Sequence, residues 1–101
     1  MGTLTLEQDP LAKTLNLEAE CFSVDLVDGR SLSVPLVWYP RLMQATEAER
    51  ARWRLLGGGY AIEWPDLDEH IGVAGLLAGH RSGESQASLK RWLEKRSIAT
   101  P

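Results

Sequence analysis

The chain has 101 residues, of which 44% are hydrophobic and 25% are charged, and its formal net charge is −3. This length suits one small domain, and the composition is that of a chain that folds. The mild acidity gives no general attraction to nucleic acid, and the single cysteine, Cys21, excludes an intramolecular disulfide and a cysteine-based zinc site.

We expect no targeting signal in the first residues of the chain. It has no basic leader and no run of about 18 apolar residues, so we expect a soluble cytoplasmic protein without membrane association. Residues 1–12 alternate only weakly and are interrupted by a proline, which predicts an accessory N-terminal arm. A core domain is predicted over residues 13–79, and its first strand over residues 13–17.

Residues 19–38 indicate a β-hairpin, because apolar and polar residues alternate on both sides of a turn. A two-residue loop would place the two apolar sets on opposite faces. We therefore predict a three-residue loop, residues 27–29, with Gly29 at positive φ as a bulge. This register pairs Val24 with Leu32 and Phe22 with Val34.

One main helix is predicted over residues 46–57. Thr46 and Glu49 have the spacing of a capping box, and Gly57 is a helix terminator. The glycines at 57–59 lack the following Gly-Lys-Ser/Thr of a phosphate loop. We predict instead a further strand in which Tyr60, Ile62 and Trp64 face inward.

The rest of the chain predicts two more helices. Residues 73–79 are apolar and predict a short helix, residues 80–86 form a polar linker, and residues 87–101 form a C-terminal helical tail. Leu89, Trp92 and Leu93 stand at i, i+3 and i+4 of this tail, so they share one side of the helix, with Arg96 among the basic residues around them. We predict that these four residues bind a partner, the alternative being that the tail docks on its own domain or on a second copy.

The densest group of charges is EWPDLDEHI, residues 63–71. A metal site needs convergent ligands, and neither helical i, i+4 spacing nor a calcium-loop pattern is present. We therefore predict a structural turn with solvated charges, with no metal, no catalytic residue and no cofactor. Arg41, which follows Pro40, is predicted to clasp Asp66 or Asp68 in a bidentate ion pair, the alternative being an anion site formed by the three side chains.

Two segments carry a family resemblance. DGRSLSVPLVWYPRL (residues 28–42) and GGGYAIEWPDLDEHIGVAGLLAG (residues 57–79) resemble a bacterial family of small proteins known as domain of unknown function 2442. The resemblance implies an α+β fold and no known reaction, and it places members in toxin–antitoxin-like gene pairs. Where this family pattern has an acidic residue and a serine, this chain has His70 and Gly72.

The predicted fold class is α+β, with a three-stranded antiparallel N-terminal sheet containing a bulged hairpin, one main helix, a further strand, a short helix and a C-terminal helix. The leading functional hypothesis is a non-enzymatic interaction module, the antitoxin-like member of a two-gene system, whose partner is another small protein encoded by the adjacent gene. The alternatives are homo-oligomerisation, a nucleic-acid-binding or autoregulatory protein using Arg41, Arg50, Arg54, Lys90 and Arg91, and an enzyme. The enzyme would use the acidic stretch at residues 63–71 with Arg41 as an anion clamp, and it requires a pocket that contains Asp66, Asp68 and Arg41 together.

Overall fold

The computed structural model describes residues 10–99, with side chains through Arg96. Within this range the chain forms an α+β fold with two three-stranded antiparallel sheets. The predicted fold class is confirmed, but the second sheet was only partly predicted.

The first sheet contains β1 (Ala12–Leu17), β2 (Cys21–Leu26) and β3 (Ser31–Pro35), in the order β1-β2-β3. Val24 lies opposite Leu32 and Phe22 opposite Val34, so the predicted hairpin register is confirmed. Because this register keeps one apolar set on one face, Phe22 and Val24 are fully buried.

The hairpin loop has the predicted three residues. The N–H of Leu26 donates to the carbonyl of Arg30 at 2.7 Å and closes the loop. Gly29 has φ 99°, a left-handed conformation that glycine adopts without steric cost. The turn therefore fixes the register of β2 and β3, the two strands that it joins.

A 3-10 turn (Leu36–Trp38) leads into α1 (Pro40–Met43) and α2 (Glu47–Ala51). The capping box at the start of α2 is confirmed, since Thr46 and Glu49 exchange both hydrogen bonds. The predicted extent of this helix is wrong, because α2 ends at Ala51 and strand β4 (Arg54–Leu56) follows.

The second sheet consists of β4, β5 (Ala61–Trp64) and β6 (Glu69–Gly72), in the order β4-β5-β6. A 3-10 turn (Pro65–Leu67) joins β5 to β6. Ile62 and Trp64 are buried as predicted, whereas Tyr60 is 50% exposed, and its predicted inward position is wrong. Tyr60 lies in the turn before β5, where the alternation of the strand has not begun.

Two helices complete the described chain: α3 (Val73–Leu77) and α4 (Gln86–Ala99). The hydroxyl of Ser85 accepts a hydrogen bond from the N–H of Ser88 at 3.1 Å, which caps the start of α4. Both helices were predicted, and α4 begins one residue earlier than expected.

One core joins the inward faces of the two sheets. Phe22 packs edge-on against Trp64 with ring centroids 5.9 Å apart, and against Tyr39 at 6.2 Å. The indole N–H of Trp64 donates to the carbonyl of Arg50 at 2.9 Å, so this large buried ring also fixes the end of α2. No helix within residues 10–99 has the length and apolarity needed to cross a membrane.

Candidate functional site

The carboxylates of the acidic stretch at residues 63–71 make separate contacts. Glu63 on β5 pairs with Arg54 on β4, and the carboxylate of Asp66 pairs with Arg52. Asp68 has φ 52° and a side chain that is 97% exposed. Among residues 10–99, no three histidine, cysteine or acidic side chains lie close enough together to hold a metal ion.

Arg41 on α1 is an anchor of the C-terminal segment. Its Nε and Nη2 donate to Glu84, with the shortest contact at 2.6 Å, and its Nη1 donates to the carbonyls of Leu67 and Asp68 at 3.1 Å. The side chains of Arg41 and Glu84 are only 15% and 10% exposed, and hydrogen bonding to Arg41 lowers the pKa of Glu84.

The structure contains the Arg41–Asp68 ion pair of the predicted clasp, but not in bidentate form. The bidentate partner of Arg41 is Glu84, while the nearest contact of Arg41 with the carboxylate of Asp68 is 3.7 Å and Asp66 binds Arg52 instead. Asp68 contacts Arg41 chiefly through its backbone carbonyl, and Asp68 itself adopts the left-handed conformation. The three residues of the predicted clasp are thus divided between two ion pairs.

The linker before α4 is held against the body. The N–H of Ser82 donates to the carbonyl of Trp38 at 3.1 Å. Ser88 on the first turn of α4 donates to Glu84 at 2.8 Å, so one carboxylate joins α1 to α4. These contacts fix the position from which α4 starts.

Two guanidinium groups lie over the indole ring of Trp92. The Cζ atom of Arg41 is 5.1 Å from the centroid of the indole and that of Arg96 is 4.6 Å from it. Trp92 is half-buried and packs against the core cluster. Cation–π attraction and apolar contact thus act together at this side chain.

Arg96 makes the last described contact of the tail. Its Nη1 and Nη2 each donate to one oxygen of Glu49 at 2.8 Å. Hydrogen bonding to Arg96 is the main cause that lowers the pKa of Glu49 to about 2. In this structure, therefore, α4 docks on its own domain, which is the alternative that the sequence left open.

Leu89 and Leu93 lie on the same side of α4 as Trp92, and like Trp92 both are only partly buried. The structure thus brings together three of the residues predicted to bind a partner, as apolar groups at the margin of the docked helix. Arg96, the fourth, is engaged with Glu49. Lys90, Arg91 and Lys95 are exposed around this surface.

Three of the arginines predicted to contact nucleic acid have partners within the chain. Arg41 binds Glu84, and Arg54 binds Glu63. Arg50 donates to the carbonyls of Leu42 and Met43 at 2.7 and 3.0 Å. A phosphate would have to compete with these contacts, which weakens the nucleic-acid alternative.

An open cleft of about 470 Å³ lies where Arg41, Asp68, Glu69 and Glu84 meet. Asp66 is not among its lining residues, so the pocket required by the enzyme alternative, with Asp66, Asp68 and Arg41 together, is not formed there. The guanidinium of Arg41 points its donors at Glu84 and two carbonyls, which leaves it poorly placed as an anion clamp. Burial raises the pKa of Glu69 in this cleft.

Sequence reasoning missed Glu84 and the second role of Glu49. Glu84 lies in a polar segment that resembles a linker, and its only local signal is the helix start that follows it at Ser85. Glu49 was assigned to the capping box, which it forms, but nothing in the sequence indicated that Arg96 would reach it.

The comparisons with known proteins add a family and a fold. The model of the family described as "Protein of unknown function (DUF2442)" matches residues 14–82. A crystal structure of a protein of unknown function from Rhodospirillum rubrum ATCC 11170 is similar, with 26% sequence identity and a TM-score of 0.67 over 79% of this chain and 96% of that chain. A search of curated proteins finds no match.

Proposed function

Since the chain belongs to the DUF2442 family, whose description names no reaction, we propose from its own geometry that it is a non-enzymatic protein-interaction module with α4 as its docking element. The partner proposed is another small protein, encoded by the adjacent gene. In this arrangement the chain is the antitoxin-like member of a bacterial two-gene pair, a role that rests on the family resemblance.

The observation that carries this proposal is the partial exposure of Leu89, Trp92 and Leu93 on one side of α4. An apolar face of this kind, at helical spacing and rimmed by basic residues, is the surface that an amphipathic helix presents to a hydrophobic groove. Trp92 packs against the core and holds α4 on the body, which leaves Leu89 and Leu93 as the residues that contact the partner.

The contacts at the two ends of this face also support the proposal. Glu84 holds the start of α4 through Arg41, and Glu49 holds Arg96 near its end. A helix fixed in this way loses less conformational entropy on binding than a free tail does. The ion pairs therefore present the apolar face in a defined orientation.

Charge on α4 indicates the chemistry of the partner. Its basic residues Lys90, Arg91, Lys95 and Arg96 outnumber its single acidic residue, Glu94. A partner groove with an apolar floor and acidic rims would complement this surface. A nucleic-acid-binding or autoregulatory role has less support, because Arg41, Arg50 and Arg54 are engaged within the chain.

The experiment that tests the proposal is co-expression of the chain with a tagged product of the adjacent gene, followed by co-purification. The matched comparison is a chain that ends at Ser85, which retains Glu84 and its contact with Arg41. We expect the full chain to co-purify with the partner. We expect the shortened chain to remain folded by circular dichroism, to melt a few degrees lower and not to co-purify. Equal capture by the two chains would contradict the docking role of α4.

A further inference from the structure

We propose that the outer edge of β6 is a second docking site, which takes an extended segment of a partner protein carrying an arginine or lysine opposite Glu69. This site is separate from the apolar face of α4. A test of this site and a test of the function proposed above can therefore give different results.

The first observation is the position of β6 in its sheet. The order β4-β5-β6 leaves one side of β6 without a neighbouring strand in the part of the chain that the structure describes. The N–H of Val73 donates to the carbonyl of Tyr60, and hydrogen-bonded pairs alternate along an antiparallel ladder. Given the observed register, the backbone groups of His70 and Gly72 face the open side.

The second observation is a groove along that open side. It has a volume of about 280 Å³ and is lined by residues 69–72 of the strand, by residues 80–83, and by Tyr39 and Gly75. The lining segment at residues 80–83 is held in place, because Tyr39 donates its hydroxyl proton to the carbonyl of His80 at 2.8 Å and the N–H of Ser82 donates to the carbonyl of Trp38. An extended chain that enters such a groove can pair with the strand edge.

The third observation is the state of Glu69. Its Oε1 accepts a hydrogen bond from the N–H of His70 at 3.2 Å, so the carboxylate covers an outward-facing donor of the strand edge. Its Oε2 is buried and has no hydrogen-bond partner among residues 10–99. A buried, unpartnered carboxylate oxygen is unfavourable, and a cationic donor would satisfy it.

These observations define one exchange of hydrogen bonds. A carbonyl of the incoming segment accepts from the N–H of His70 and replaces Glu69 there. The released carboxylate then pairs with the arginine or lysine side chain of the same segment. The N–H of His70 and the carboxylate of Glu69, which are incompletely hydrogen-bonded in the free protein, both gain a partner in this step.

The surrounding charges favour a cation over an anion. Asp68 is exposed beside Glu69, and Glu84 lies on the same cleft. Of the nearby arginines, Arg41 is bound by Glu84, and Arg81 stacks on Trp38 with its Cζ atom 4.5 Å from the ring. An acidic side chain at Glu69 would meet like charge.

Gly72 provides a matched pair of variants for the strand edge. Its φ of −78° suits proline, and a Cβ atom there would have nothing within 4 Å. Gly72→Pro removes the outward N–H while leaving the pairing with β5 intact, and Gly72→Ala retains that N–H. Glu69→Gln removes the charge, with Asp68→Asn as its exposed control.

The test is a titration of the ¹⁵N-labelled full chain, followed by NMR, with the capped peptide acetyl-Thr-Val-Arg-Val-Thr-amide and with the same peptide carrying glutamate for arginine. We expect the arginine peptide to cause saturable shifts of the His70 and Gly72 amide signals, and the glutamate peptide to cause none. Glu69→Gln should weaken binding by about tenfold or more, and Asp68→Asn by less than about threefold.

We expect Gly72→Pro to lose the binding and Gly72→Ala to keep it. Three outcomes would overturn the proposal: no saturable shift with the arginine peptide at millimolar concentration, equal binding of the two peptides, or equal binding by the proline and alanine variants. Loss of capture by α4 in the co-purification experiment would leave each of these results unaffected.

Discussion

Arg96, in the last described turns of α4, donates one hydrogen bond to each carboxylate oxygen of Glu49, 47 residues earlier in the chain. Glu49 also accepts from the N–H of Thr46 at 2.9 Å and so completes the capping box of α2. One carboxylate therefore connects the position of the tail to the start of a helix in the body.

This relationship predicts a response to acid. The pKa of Glu49 is lowered from 4.5 to about 2 in the folded protein, chiefly by Arg96. The stabilisation is thus fully present above pH 4.5 and is lost as the pH falls toward 2. NMR titration of the Glu49 carboxyl should show this low midpoint, and Arg96→Gln should move the midpoint toward the ordinary value. An unchanged midpoint in the variant would show that the ion pair does not hold the tail.

Arg41→Lys should destabilise the domain by about 1–3 kcal/mol, because lysine cannot reproduce the bidentate contact with Glu84 and the two bonds to backbone carbonyls. The control is Arg52→Lys, whose pair with Asp66 is exposed by 60% and 43% and should cost less than about 1 kcal/mol. Urea unfolding of the two variants measures the difference. Equal losses of unfolding free energy in the two variants would show that the contacts of Arg41 stabilise the domain no more than the exposed pair of Arg52 does.

Gly29→Val should lower the free energy of unfolding by about 1 kcal/mol or more, since a β-branched residue is forced to φ 99°. A Cβ atom at this position would have nothing within 4 Å, so the cost arises from the backbone and not from a clash. Ser33→Val, at an exposed position in β3, is the control and should have little effect. Equal decreases in melting temperature for Gly29→Val and Ser33→Val would contradict the bulged loop.

The hairpin could be predicted from sequence because two local signals agree there. Alternation fixed which residues face the core, and Gly29 supplied the positive φ that the odd loop requires. When the apolar alternation and the turn residues require the same strand register, tertiary contacts are not needed to select that register.

The segment after α2 could not be assigned in the same way. Its alanine, arginine and leucine residues favour a helix, and the capping box marks a true helix start. However, Trp53 and Leu55 alternate with the exposed Arg52 and Arg54, which is the period of a strand. Pairing of Leu55 with Ile62 and of Arg54 with Glu63 decides the conformation, and both contacts are tertiary.

The ion pairs of the site are still harder to predict. Arg41 and Glu84 are 43 residues apart, and Glu49 and Arg96 are 47 apart. Sequence reasoning found Arg41 and the apolar face of α4, because an arginine after Pro40 and the i, i+3, i+4 spacing are local features. Which carboxylates they meet depends on how α4 returns to the body, and no local pattern specifies that path.

The central claim is that Leu89 and Leu93 on α4 bind a partner protein. The most direct measurement is isothermal titration calorimetry of the adjacent gene's product against the full chain and the double variant Leu89→Gln/Leu93→Gln. The control of unchanged net charge is Ala87→Gln, at an exposed position on the opposite face of α4. We expect the leucine variant to melt within a few degrees of the unmodified chain and to bind at least about thirtyfold more weakly, while the control binds normally. Unchanged affinity in the leucine variant, with binding by the unmodified chain intact, would contradict the claim.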